Sequence, residues 1–200
     1  MKKSWKLLAI CMLAMIFAMQ CINVSDAAPK KKKDKIAPSR FARVAVLPVI
    51  NLEEDIEYAN TLVFQKALEV FRYPDYEFYD NDKLYKALEE VNYYEAGKEG
   101  VSEEMLRTIM QKSGAEMVVM VKLNKLQQEY YTYGREDMDQ LTIDMEIMAV
   151  YSWRDKATKV HIKEKKLAEY ATVMKTDWKM DEYASVVNKQ LTRIAKLGTK

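Results

Sequence analysis

From Leu141 to Trp153 the chain alternates with a period of two. Leu141, Ile143, Met145, Ile147, Ala149, Tyr151 and Trp153 form one set, apolar throughout. Gln140, Thr142, Asp144, Glu146, Met148, Val150 and Ser152 form the other, mostly polar. Successive side chains of a β-strand point to opposite faces, so this run predicts a long strand with one face on a core and the other largely wet. Such a strand belongs to an antiparallel sheet covered on one side. A turn at Arg154-Asp155-Lys156-Ala157 and a return strand over 159–173 supply its neighbour. The alternation of the return strand slips between Lys165 and Leu167, which predicts a bulge there.

The first half of the chain has a different rhythm. Val44-Ala45-Val46-Leu47-Pro48-Val49-Ile50 is a continuous apolar run of strand length, suited to burial on both faces. Asn51 ends it, and Glu53-Glu54-Asp55 put negative charge where a helix N-terminus is favoured. Ala59, Leu62, Val63, Ala67, Val70 and Phe71 then recur at helical spacing, predicting a helix over 57–72 that Pro74 stops. A short strand follows at Tyr76-Glu77-Phe78-Tyr79. Asp80, Asn81 or Asp82 can cap the next helix, whose apolar face is Leu84, Ala87, Leu88 and Val91. Gly97 and Gly100 mark a loop, and Ser102 caps a third helix carrying Met105, Leu106, Ile109 and Met110. Gly114 stands where a left-handed C-terminal cap belongs. Met117 opens a strand that runs to about Tyr131, and Asp181 opens a last helix ending at Gly198. The order is β-α-β-α-α-β-β-β-α: an α/β fold, a single mixed β-sheet with helices packed on it, over residues 42–198.

Residues 1–27 read as a secretory signal peptide. Met1-Lys2-Lys3 with Lys6 is a basic start, and Leu7 to Met19 is an uncharged apolar run of 13 residues, shorter than the roughly 20 that span a bilayer as a helix. Ser25-Asp26-Ala27 offers small residues at the −3 and −1 positions of a cut after Ala27. An uncleaved anchor and a lipoprotein acylated at Cys21 are the rival readings; Met19-Gln20 before Cys21 is a poor acylation context. Residues 28–41 are a basic linker in which Lys30-Lys31-Lys32-Lys33-Asp34-Lys35 is either a solvated spacer or a weak contact for an anionic surface. Cleavage after Ala27 removes both cysteines, and with them any disulfide. It also removes Lys2, Lys3, Lys6 and Asp26, taking 32 basic and 30 acidic residues to 29 and 29. That balance argues against nucleic acid as a partner.

The opening Arg43-Val44-Ala45-Val46-Leu47-Pro48-Val49-Ile50-Asn51 resembles the first strand, of the kind V-A-V-L-P-F-x-N, in the periplasmic α/β domains of the TolB N-terminal, CsgG and LpoB group. The segment Lys112-Ser113-Gly114-Ala115-Glu116 running into Met117-Val118-Val119-Met120-Val121 is similar to that group's L-G-A-D before a strand. Three strands and a final helix follow, as in the group. The resemblance covers about residues 42–197. It implies an envelope protein, periplasmic or at the cell surface, that binds another envelope protein, with self-association left open. The channel-forming members carry inserted amphipathic hairpins for which this chain has no room. A pore is further disfavoured by the charges on both faces of the 159–173 strand, His161, Lys163 and Lys165 on one and Glu164 and Lys166 on the other. Each Lys at mid-bilayer costs about 2–4 kcal/mol.

Little in the sequence points to catalysis. The single histidine, His161, cannot by itself make a zinc site or a triad, and no glycine-rich phosphate motif or G-x-S-x-G elbow is present. No cofactor or metal is expected. Asp144 and Glu146 share one strand face roughly 7 Å apart. They read either as an acid/base pair of a carbohydrate-active enzyme or as a solvated face with Lys163 and Lys165 as cross-strand partners. Tyrosine is the more suggestive residue. All 13 lie beyond the signal peptide, and Tyr93-Tyr94 and Tyr130-Tyr131-Thr132-Tyr133 fall in loops or strand ends. Exposed tyrosine gives contact area and a hydrogen bond at low entropic cost. Tyr93, Tyr94, Tyr130, Tyr131 and Tyr133 are therefore the candidate partner-binding residues of a non-catalytic module, packing at the sheet rim being their alternative role.

Overall fold

The computed structural model describes residues 41–51, 57–133, 136–174 and 177–198. The signal peptide, the linker up to Arg40 and the acidic run Glu53-Glu54-Asp55 lie outside the described residues. Six strands form one mixed sheet: β1 (Ala42–Val46), β2 (Ile50–Asn51), β3 (Tyr76–Phe78), β4 (Met117–Tyr133), β5 (Glu136–Tyr151) and β6 (Arg154–Glu169). The spatial order is β3-β1-β4-β5-β6, with β2 continuing alongside β4. Pairs β1–β3, β1–β4 and β2–β4 are parallel, and β4–β5 and β5–β6 antiparallel. The fold is thus α/β with a single mixed sheet, the two rhythms of the sequence appearing as its parallel and antiparallel halves.

Helices cover both faces of the parallel half. On one face lie α1 (Glu57–Val70) and the long α6 (Trp178–Gly198), whose Ala59, Val63, Val187, Leu191 and Ile194 pack on Val44, Val46, Val119 and the odd-numbered row Leu141 to Tyr151. On the other lie α2 (Asp82–Glu90), α3 (Tyr93–Glu99) and α4 (Glu103–Ser113), over Ala45, Leu47, Val118, Met120, Met148 and Val150. Caps act where the sequence places them. Asn81 Oδ1 accepts from the Leu84 amide and Ser102 Oγ from the Met105 amide, both at 3.1 Å, and Gly114 closes α4 in the left-handed region at φ 83°. Among the described residues no helix is long and apolar enough to cross a membrane.

Five expectations are corrected. The run Val44–Ile50 is two strands, because Pro48 has no amide to donate to the ladder. The Leu47 amide still donates to the Val119 carbonyl at 2.8 Å, whereas that of Val49 turns to Asn60 Oδ1 at 3.1 Å. The stretch around Gly97 is a helix, α3, and the glycine is there for closeness: a Cβ would stand 2.6 Å from Ile50 Cδ1. The β5–β6 turn is the pair Ser152-Trp153, with Tyr151 facing Arg154, so Arg154–Ala157 is strand. Arg107 of α4 secures this position by donating to the carbonyls of Arg154 (3.4 Å) and Asp155 (2.5 Å), and the Arg154 guanidinium lies over the Tyr151 ring at 5.5 Å. The register through Lys165, Lys166 and Leu167 is continuous; the irregularities fall between Leu123 and Lys125 and between Ala149 and Tyr151. The return strand ends at Glu169, and Tyr170–Val173 form a short helix, α5. Smaller shifts extend β4 to Tyr133, begin β5 at Glu136 and begin α6 at Trp178.

Candidate partner-binding surface

Strands β4, β5 and β6 are far longer than the helices over their polar face. Beyond Met148 that face is open, and it carries the row predicted to be wet. Asn124, freed by the irregularity in β4, donates one amide group to Asp144 Oδ1 and to Glu146 Oε1, both at 3.1 Å. His161 Nε2 stands 3.0 Å from Asp144 Oδ1, and Lys163 Nζ 3.8 Å from Oδ2. Lys165 faces Thr142. Donation from Asn124, reinforced by His161 and Lys163, holds the Asp144 carboxyl below its usual range. An acid/base pair needs one carboxyl kept protonated near neutrality; the Asn124 donor favours the charged form of Asp144.

This network has a pH signature. Because the folded state lowers the Asp144 pKa, the folded protein binds fewer protons there than the unfolded chain. The resulting stability is complete above the unfolded value of 3.8 and is lost as pH falls through the lower folded value. Urea midpoints of wild type and Asp144→Asn should therefore converge below pH 3.8 and differ by a constant amount above it. A gap that persists unchanged in acid would show that the carboxylate charge contributes nothing.

At its far end the hairpin β4–β5 changes character. Tyr131, Met138 and Glu169 share one row across the three strands on the open face, as do Glu129, Gln140 and Leu167. On the opposite face Tyr130, Asp139 and Ala168 share a row. Tyr130 meets Tyr170 of α5 edge to face, centroids 5.4 Å apart. The hydroxyl of Tyr131 donates to Glu129, and that of Tyr130 to Asp137; both bonds hold the phenols neutral above their ordinary range. Leu167 is 66% exposed, Met174 68%, Tyr130 53%, Tyr131 44% and Tyr170 41%. The other exposed large apolar residues stand elsewhere, mostly singly, with Phe41 and Tyr73 as a ring pair 6.2 Å apart.

The structure separates the five predicted tyrosines. Tyr130 and Tyr131 are at the hairpin end. The side chain of Tyr133 lies outside the described residues. Tyr94 is exposed, but on α3 near β2, roughly 30 Å back along β4 at about 3.3 Å per residue. Tyr93 is corrected to a core residue: it is fully buried, and its hydroxyl donates to the Pro48 carbonyl at 3.0 Å, closing the break that the proline opens. Leu167, Tyr170 and Met174 were not singled out by sequence. The signal for Leu167 was present in the slipped alternation, which marks an apolar side chain on the wet face; none marked Tyr170 or Met174.

A concave site of about 460 Å³ just past α5 is lined by Tyr58, Leu62, Gln65, Asp177 and Met180, and two others lie farther off. A cleft of about 530 Å³ between the C-terminal halves of α1 and α6 is lined by Glu69, Arg72, Asn188 and Lys196, and one of about 350 Å³ over β3 by Phe41, Phe71, Tyr73 and Phe78. Among the described residues no group of three or more His, Cys, Asp or Glu side chains is placed to hold a metal ion.

No protein-family model matches the chain, and no curated protein matches it. Among solved structures it is similar to lipoprotein GNA1162 from Neisseria meningitidis, at 12% identity and a TM-score of 0.46, covering 76% of this chain and 99% of that one. It is similar to the hypothetical protein CT253 from Chlamydia trachomatis, at 11% and 0.44, covering 78% and 94%. It is also similar to PelC from Paraburkholderia phytofirmans, a dodecamer, at 12% and 0.42, covering 78% and 90%. Likeness at this level says nothing of what the chain binds.

Proposed function

We propose that this chain is an exported protein-binding module of a cell envelope, an assembly accessory and not an enzyme, which docks a partner through the far end of the β4–β5 hairpin with α5. The observation that carries the reading is the gathering of Tyr130, Tyr131, Leu167, Tyr170 and Met174 at one end of the sheet, each 41–68% exposed. Tyr131 and Leu167 lie on one face of the sheet end and Tyr130 with Tyr170 on the other. Exposed apolar side chains in this number cost solvation unless something covers them, and amphipathic rings are the usual anchors of an interface. Export rests on the basic start, apolar run and small-residue site of residues 1–27, and an envelope role accords with the sequence resemblance to the TolB, CsgG and LpoB group.

Photocrosslinking in native envelopes tests this reading. A benzophenone amino acid at position 167 should trap one discrete protein. Tyr130→Ala combined with Tyr131→Ala should cut that product about tenfold or more, as loss of two interface anchors would, with an unchanged far-UV spectrum. Equal crosslinking with and without the tyrosines would overturn the assignment of this surface.

A further inference from the structure

We infer that the partner segment docked at the hairpin end is basic, presenting lysine or arginine among apolar side chains. The inference rests on the docking reading above and adds the partner's chemistry. Its ground is a local imbalance of charge in a chain that is even only as a whole. The described residues 127–133, 136–140 and 167–174 hold five carboxylates, Glu129, Glu136, Asp137, Asp139 and Glu169, and no lysine or arginine. Setting Arg135 and Lys175, which lie outside the described residues, against these five still leaves an excess of three negative charges.

Acids stand beside rings on both faces of the hairpin end, Glu129, Tyr131 and Glu169 on the open face and Tyr130, Asp137 and Asp139 on the other. Asp137 and Glu129 accept from the Tyr130 and Tyr131 hydroxyls, so carboxylates stand directly beside exposed aromatic faces. The edge-to-face Tyr130–Tyr170 pair offers ring surface over which a guanidinium or ammonium is attracted by the ring quadrupole. Asp139, in register with Tyr130 and Ala168, is 4% exposed; its Oδ1 accepts from Gln128 at 3.2 Å, while its Oδ2 has no hydrogen-bond partner. A buried carboxylate oxygen without a donor is costly, and a cationic side chain closing on this row lowers that cost. A bilayer is a poorer occupant, because anionic leaflets attract lysine and arginine and repel these carboxylates. A second copy meeting this patch with its own would oppose like charges across a two-fold axis.

The experiment uses the exported full chain and fluorescence anisotropy. The probes are a labelled lysine-rich peptide with interspersed leucines and its counterpart with glutamate in place of lysine. Phosphatidylglycerol vesicles and sedimentation of the protein alone run beside them. The lysine peptide should bind, weaken steeply with added salt, and lose about tenfold or more in affinity when Glu136→Lys and Asp137→Lys are combined. Glu169→Lys, on a different strand, should lower affinity in the same direction and guards against a local effect on the turn. Absence of lysine-peptide binding, equal binding of the glutamate peptide, or indifference to the charge reversals would overturn the inference. So would vesicle binding or self-association that the reversals abolish. If the crosslinked partner persists while the lysine peptide fails, the docking surface stands and its basic partner falls; loss of both removes the docking reading itself.

Discussion

A chain carrying Val119→Asp is expected not to accumulate as folded protein. Val119 lies in β4, the central strand of the sheet, between Val46 of β1 and Ala149 of β5, and it is fully buried. Its neighbours along the same face, Met117 and Val121, are buried and apolar as well. Among the described residues no lysine or arginine is buried, so a carboxylate there has neither water nor a partner. The penalty is about 4 kcal/mol or more, against a total stability of roughly 5–15 kcal/mol for a domain. Soluble yield and near-ultraviolet dichroism check this, with Lys125→Asp as the control. Lys125 is in the same strand but exposed on the open face, and its variant should fold. A cooperative melt of Val119→Asp close to wild type would show that β4 is not the centre of the sheet.

Leu191→Ala should lower the unfolding free energy by about 2–5 kcal/mol, the range for removing a buried leucine whose surroundings relax only partly. Leu191 is fully buried where α6 crosses the sheet. The polar contacts of this helix to other elements include two near the surface, Lys166 Nζ standing 3.8 Å from Glu182 and Asn188 donating to Glu69 at 3.4 Å, and its buried polar groups contribute less. The hydroxyl of Tyr183 and Oε1 of Gln190 are buried without a hydrogen-bond partner, and the Tyr76 hydroxyl reaches only the Ala195 carbonyl near the helix end. Docking of α6 therefore depends on apolar area and fit, which is why one truncated side chain should be felt so strongly. Urea denaturation checks it: the midpoint should fall with an unchanged slope. A loss below about 1 kcal/mol would mean that the site collapses around the smaller residue or that α6 packs differently.

Elements written as local repetition were legible along the chain. The period-two run of β5, the helical spacing of α1 and the caps Asn81, Ser102 and Gly114 each depend on a few neighbouring residues, so reading them requires no knowledge of the rest of the fold. Misreadings fell where a distant group decides. The hairpin turn moves to Ser152-Trp153 because Arg107, 47 residues away, takes the Arg154 carbonyl. Tyr93 leaves the surface because Pro48, 45 residues away, supplies an acceptor for its hydroxyl.

The candidate surface divides in the same manner. Tyr130 and Tyr131 stood out as adjacent aromatic residues near a strand end, a local feature. Leu167 broke a pattern, but whether the break meant a bulge or an exposed leucine depended on its partner, Gln140, across the sheet. By itself the sequence determined which side chains of β5 share a face, because side-chain direction follows backbone period, but not that Met148 and Val150 of the wetter row are covered by helices. Only the tertiary structure decided that Tyr130, Tyr131, Leu167 and Tyr170 share one end of the sheet with five carboxylates. Strand register sets that meeting, and register is fixed by long-range pairing and helix packing, whose energies no short window of the chain contains.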